Sequence, residues 1–162
     1  MKRSAMKIAT AAVITCALFL LNACSQKDTD QEALGEAIFP QGQKGPAEYF
    51  TGNAYNYGLV PADSAFTTLV GNVYFEPGAR SNWHTHPAGQ ILIITAGVGY
   101  YQEEGKPKQI MRKGDVVKCP PEVKHWHGAS PDTGLQQMYI VPNTEKGIVN
   151  WMEPVTKEEY ER

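Results

Sequence analysis

The four histidines of the chain fall in two pairs of identical spacing: His84 and His86 in "HTHPAGQ" (84–90), His125 and His127 in "KHWHGA" (124–129). Side chains alternate sides along a strand, so residues i and i+2 project to the same face. Two rigid strands carrying such pairs can hold imidazoles ready around one ion, and neutral imidazole is the commonest protein ligand for ions of the Mn, Fe, Ni or Zn type. Gln90 shares the parity of the first pair. Pro87 and Gly89 interrupt the strand between them, a gap that a bulged strand can bridge. Trp126 faces away from the histidines that flank it. A lone histidine is more often satisfied by neighbouring backbone, but repetition of the same spacing favours metal binding.

The elements around these pairs read as strands. From Ala54 onward the chain alternates short runs rich in Val, Ile, Tyr, Phe and Thr ("YNYGLV", "FTTLVGNVYF", "QILIITAGVGYYQ", "QIMRKGDVVKC", "VKHWHGA", "LQQMYIVP") with "EPGA", "EEGKP", "KGD" and "PDTG". The runs suit a pleated, half-buried surface, and the separators carry the Gly, Pro and Asp that turns require. No amphipathic helical period of useful length interrupts them, which argues against a parallel sheet with crossover helices. The fold class expected is all-β, a barrel or sandwich, in one domain over 45–162.

The chain opens "MKRSAMKIATAAVITCALFLLNACSQ", with three basic residues ahead of an apolar run from Ile8 to Leu21. This is the charge-then-apolar order of a secretory signal, and the run is shorter than the roughly 18 to 20 residues a membrane-spanning helix needs. "LNAC" at 21–24 resembles the lipobox of bacterial lipoproteins, which implies lipidation at Cys24 after removal of 1–23. Ser25 carries no inner-membrane retention signal. The expectation is an exported protein, lipid-anchored at the periplasmic face with the outer membrane slightly preferred. Residues 24–44 are polar, broken by Gly and Pro, and read as a flexible tether with a short helix near Gln31 to Ile38. With Cys16 in the signal and Cys24 lipidated, Cys119 alone remains as a thiol, so the mature domain has no internal disulfide and relies on its apolar core. Net charge is −2 and no basic cluster appears, which excludes a nucleic-acid footprint. Contact with membrane is through the lipid alone.

The histidine pairs resemble the two motifs of the cupins. Gly78, His84, His86, Gln90 and Gly97 stand at the spacing of the first, and Gly114, Pro120 and His125 at that of the second. Gln90 replaces the usual glutamate, and Glu122 stands where the second motif has glycine. Ala129 replaces its frequent terminal asparagine. "GPAEYFTG", "FEPGAR", "WHTHPAGQ", "KGDVV" and "VNWMEPVT" are similar to the small single-domain cupins that include manganese-dependent bacterial hydroxynitrile lyases and carboxymuconolactone-decarboxylase-associated cupins. The resemblance implies a cupin double-stranded β-helix (jelly-roll barrel) and a metal held by His84, His86, Gln90 and His125, with His127 lining the pocket beside it.

Three imidazoles and a carboxamide leave a divalent ion its full charge, so it acts as the stronger Lewis acid toward a carbonyl, hydroxyl or water. Manganese ranks first, Fe(II) next, then Ni or Zn; calcium prefers a harder, all-oxygen set. In the lyases of this family a further histidine serves as base, and Gln137 occupies its position here. That leaves His127 as the candidate catalytic base. The function expected is a metal-dependent enzyme acting on a small hydroxy, keto or phenolic compound, by lyase or dioxygenase-like chemistry. The alternative is a periplasmic cupin that binds a small ligand without turning it over. Of the remaining residues, Arg80 reads as a loop side chain that is solvated or meets a carboxylate. One of Tyr100 and Tyr101 faces inward; Met138 and Trp126 read as core, and Cys119 as a buried small hydrophobe. The C-terminal "VNWMEPVTKEEY" packs on the barrel or on a second subunit, in a homodimer or higher homo-oligomer.

Overall fold

The computed structural model describes residues 37–162; the signal, Cys24 and most of the tether and its helix lie outside the described residues. Among the described residues twelve strands are formed: β1 (Gln43–Lys44), β2 (Phe50–Thr51), β3 (Ala54–Val60), β4 (Thr68–Phe75), β5 (Arg80–Ser81), β6 (His84–Thr85), β7 (Gln90–Glu103), β8 (Gln109–Arg112), β9 (Val116–Cys119), β10 (His125–Ala129), β11 (Leu135–Pro142) and β12 (Asn150–Trp151). The longer ones coincide with the apolar runs read from the sequence. The "KGD" turn divides β8 from β9, and β1 falls at the end of the segment read as a tether.

All pairings are antiparallel and form one curled sheet in two layers. The first runs β1-β3-β4-β11-β7, with β9 on the far side of β7; the second runs β7-β10-β5-β2, with β8 beside β7 and β6 joining β10 to β12. Strand β7 belongs to both. Its 14 residues bury Leu92 and Ile94 in its first half and Tyr101 in its second, so the inward parity changes from even to odd. The change falls near Gly97, whose φ of 78° suits glycine. That bend lets one strand line both layers of the barrel.

Between the layers lie Val73, Phe75, Leu92, Ile94, Met111, Val117, Cys119 and Leu135, together with Tyr101. Tyr101 is thus the inward member of its pair, and Cys119 is buried. Met138 is only half-buried and points away from this core, against expectation, because the inward parity of β11 falls on Gln137, Tyr139 and Val141.

A second cluster, Trp83, Trp126, Val155 and Tyr160 with Tyr100 against it, covers the outer face of β10. The C-terminal segment supplies its cover. A short helix, α1 (Lys157–Glu161), starts at a capping box in which Thr156 and Glu159 satisfy each other's backbone N–H groups. Arg80 is buried, not solvated: its guanidinium donates to the Val155 carbonyl at 3.0 Å and lies 4.6 Å from the centre of the Tyr160 ring. Among the described residues no carboxylate meets it; carbonyls and an aromatic face hold the charge.

Candidate metal centre

His84 and His125 face each other across the β6–β10 pairing, so their side chains share one side of the sheet. The "HPAG" stretch after His84 closes a turn, with the Gly89 N–H donating to the His86 carbonyl at 3.0 Å. Proline at the second position of that turn presets its backbone. The same His86 carbonyl accepts from Glu122, whose φ of 60° occupies the left-handed region where the second motif has glycine. The two motifs are tied together at this carbonyl, which brings Gln90 in at the first residue of β7.

The four imidazoles converge. Ring centres are 4.4 Å apart for His84 and His125, 5.1 Å for His84 and His86, 5.6 Å for His86 and His125, and 5.2 Å for His84 and His127. One ring nitrogen each of His84, His125 and His127 lies within 4.8 Å of the other two, a trio that contains His127 in place of the expected His86. Gln90 lines the same cavity and its Oε1 accepts from the Cys119 thiol at 3.8 Å.

Three of the four rings have their Nδ1 against a backbone carbonyl: His84 on Asn82 at 2.9 Å, His86 on Ile148 at 2.5 Å and His125 on Val123 at 2.8 Å. A carbonyl only accepts, so each neutral ring carries its proton on Nδ1 and presents a lone pair at Nε2. The Nε2 atoms of His86 and His125 are buried with no partner. Buried polar atoms are nearly always paired, and a bound cation supplies the missing partner. These residues therefore fit a divalent metal.

Burial is the main cause of the electrostatics here. It holds His84 and His127 well below the usual histidine value, with His125 adding to the effect, and lowers His86 as well. His125 is pushed down to about 4, chiefly by burial, against a partial opposing effect of the Val123 carbonyl. All four rings are neutral near pH 7, the state that donates to metals.

The cavity in front of His84, His86 and His127 measures about 220 Å³ and is walled by Phe50, Val73, Phe75, Val141 and Trp151, with Tyr139 beside them. Trp151 stacks on Tyr49 and lies 5.0 Å from the His84 ring. The C-terminal "VNW" thus packs on its own barrel. Sequence reasoning missed Ile148 and Trp151 as parts of the site. An aromatic in a segment of unknown packing gives only a weak signal, and a backbone carbonyl gives none. His127 lines the cavity edge-on to Phe75 and meets the Gln137 amide through its Nδ1 at 2.9 Å.

The family model for the cupin domain matches residues 71–141, which contain both histidine pairs. An (R)-mandelonitrile lyase from Granulicella tundricola is 46% identical over 119 residues, 74% of this chain and 91% of that protein. This chain is a cupin. A crystal structure of a cupin-like protein from Thermotoga maritima is similar to it at 51% identity, with a TM-score of 0.76 over 77% of this chain and 95% of the other. The DMSP lyase DddQ from Ruegeria pomeroyi, at 20% identity and a TM-score of 0.56 over 78% and 64%, shares the fold. The cupin barrel explains why the histidine pairs meet: the motifs lie on strands that pair with one another, so their shared parity becomes a shared interior.

Proposed function

We propose that this cupin is a divalent-metal-dependent lyase of small aryl hydroxynitriles or closely related hydroxy compounds, with His84, His86, His125 and Gln90 holding the metal. The observation that carries the reading is the sorting of Nδ1 atoms onto carbonyls, which leaves the Nε2 lone pairs of three neutral rings free, those of His84 and His86 on residues that line an apolar-walled cavity and that of His125 buried behind it. The similarity to a mandelonitrile lyase, which spans nearly all of that protein, supports the reaction class. Manganese is the first choice of ion and Fe(II) the second, because the set is neutral and mixed N/O. When bound, the metal supplies Lewis acidity toward a hydroxyl or carbonyl oxygen.

The chain's own residues do the rest. Phe50, Phe75 and Trp151 offer flat apolar walls suited to an aryl ring. His127 is the cavity-lining ring left over beside the proposed ligands, placed to exchange a hydrogen bond with substrate. Cleavage of an aryl hydroxynitrile breaks one C–C bond, moves the hydroxyl proton to the departing cyanide and leaves an aldehyde. We further propose that the N-terminal segment exports the protein and that lipid on Cys24 anchors it at the periplasmic face.

Protein loaded separately with Mn, Fe(II), Ni or Zn, with loading verified by elemental assay, is mixed with both enantiomers of mandelonitrile while aldehyde absorbance and cyanide release are followed. Metal-dependent release of both products is expected. Loaded protein that binds the nitrile and returns it unchanged would establish the ligand-binding alternative, which the absence of a histidine at Gln137 favours. Turnover only with iron and oxygen would replace the lyase with an oxygenase.

A further inference from the structure

Among the four rings His127 is the exception, because its Nδ1 meets an amide where the others meet carbonyls. Gln137 is fully buried, in register with Val73 on one side and Ile94 on the other, and its Nε2 lies 2.9 Å from His127 Nδ1. Its Oε1 is buried without a partner. Turning the amide over would give Oε1 the ring N–H and leave both amide hydrogens unpaired, against Oε1 and one hydrogen unpaired as it stands, so the count of unpaired groups is equal and the neighbouring lone pairs decide. It would also move the ring proton to Nδ1 and aim a fourth lone pair at its neighbours. One ring nitrogen each of His84, His125 and His127 already lies within 4.8 Å of the others, and with Nδ1 of His84 and His125 held by carbonyls it is their Nε2 lone pairs that remain for that space. In the metal-free protein lone pair against lone pair is repulsive, whereas an N–H directed at them is attractive.

We infer that Gln137 is a positioning residue: it donates to His127 Nδ1, fixes the ring proton on Nε2, and makes His127 a hydrogen-bond donor facing the cavity, neither a fourth imidazole ligand nor a proton-accepting base. The inference rests on the ligand set proposed above and deepens it. It divides four converging histidines into three lone-pair donors and one N–H. It also says what the cavity recognises beside the metal, namely an acceptor atom such as a nitrile nitrogen, a carbonyl oxygen or a departing anion.

Long-range proton–nitrogen NMR of the uniformly labelled full-length protein reads each ring's tautomer directly, at one pH above histidine titration. It is recorded metal-free and again with zinc, which is diamagnetic. The expected spectrum has three rings protonated on Nδ1 and His127 alone on Nε2. Zinc should shift the Nε2 signals of His84, His86 and His125 and leave the Nε2–H of His127 in place. Gln137→Glu, whose carboxylate only accepts, should transfer the His127 proton to Nδ1 and let its Nε2 respond to zinc. Gln137→Met should leave the tautomers mixed.

A wild-type His127 protonated on Nδ1, or a His127 Nε2 that shifts on zinc binding, would overturn the inference whatever the variants do. Because the metal-free spectrum needs neither metal nor substrate, failure of the proposed reaction would leave this result standing, and the reverse holds too.

Discussion

Acidification of the metal-free protein should destabilise it well above the carboxylate range. Burial holds His125 at about 4 in the fold, against about 6.5 for an unperturbed histidine. Between these values the unfolded chain binds a proton that the folded chain refuses. The stability due to the neutral ring is therefore fully present above the unfolded value and is lost as pH falls toward the folded one. For His125 alone the loss from about pH 7 to about pH 5 is about 2 kcal/mol.

His84 and His127 are displaced in the same direction, also chiefly by burial, so their losses add to it. Each histidine steepens the dependence toward about 1.4 kcal/mol per pH unit, which three of them make large against a total stability of about 5 to 15 kcal/mol. Urea unfolding followed by tryptophan fluorescence at several values from pH 7.5 down to pH 5 measures this before the carboxylates titrate. A stability that stays flat over that interval, or rises on acidification, would refute the assignment of neutral buried rings.

Other outcomes follow from particular contacts. Gly128→Ala should destabilise the barrel by about 1 to 3 kcal/mol, because its Cβ would come within 2.5 Å of the Ala79 carbonyl oxygen and 2.6 Å of the Arg80 Cα; thermal denaturation checks this. Glu122→Gly removes a left-handed non-glycine residue, and the relief of about 1 to 2 kcal/mol is partly offset by a more flexible unfolded chain. Its melting temperature should therefore hold or rise. Trp151→Ala removes the ring that stacks on Tyr49 and walls the cavity. It should cost about 1 to 3 kcal/mol in stability, less than a core aromatic because Trp151 is half-buried, and weaken binding of an aryl aldehyde measured by calorimetry, whereas Trp151→Phe should retain most of both.

Much of the fold was legible before any coordinates. The alternation in "QILIITAGVGYY" and "LQQMYIVP" places β7 and β11, and "EPGA" and "KGD" place turns between strands, because local sterics act over a few residues. Residues 86–89, read as a gap in a bulged strand, instead form a turn that separates β6 from β7. What escaped was what depends on distant neighbours. Met138 looks like core by type, yet it lies on the outer side of β11. Arg80 looks like a solvated loop residue, yet a carbonyl 75 residues away and the face of Tyr160 bury it. The two-residue strands β5, β6 and β12 are too short for any period to register.

By itself the sequence determined the class of the protein and the residue types of its centre: an all-β chain whose four histidines share the spacing of a strand face. Only the tertiary structure decided which nitrogen of each ring is free. The Nδ1 of His86 is held by the carbonyl of Ile148, 62 residues on. Every residue has such a carbonyl, so nothing in the letters marks the one that orients a ligand. Gln137 is likewise an ordinary amide in sequence. It acquires its part because the pairing of β11 with β4 and β7 turns it inward and burial removes the water that would otherwise compete for His127.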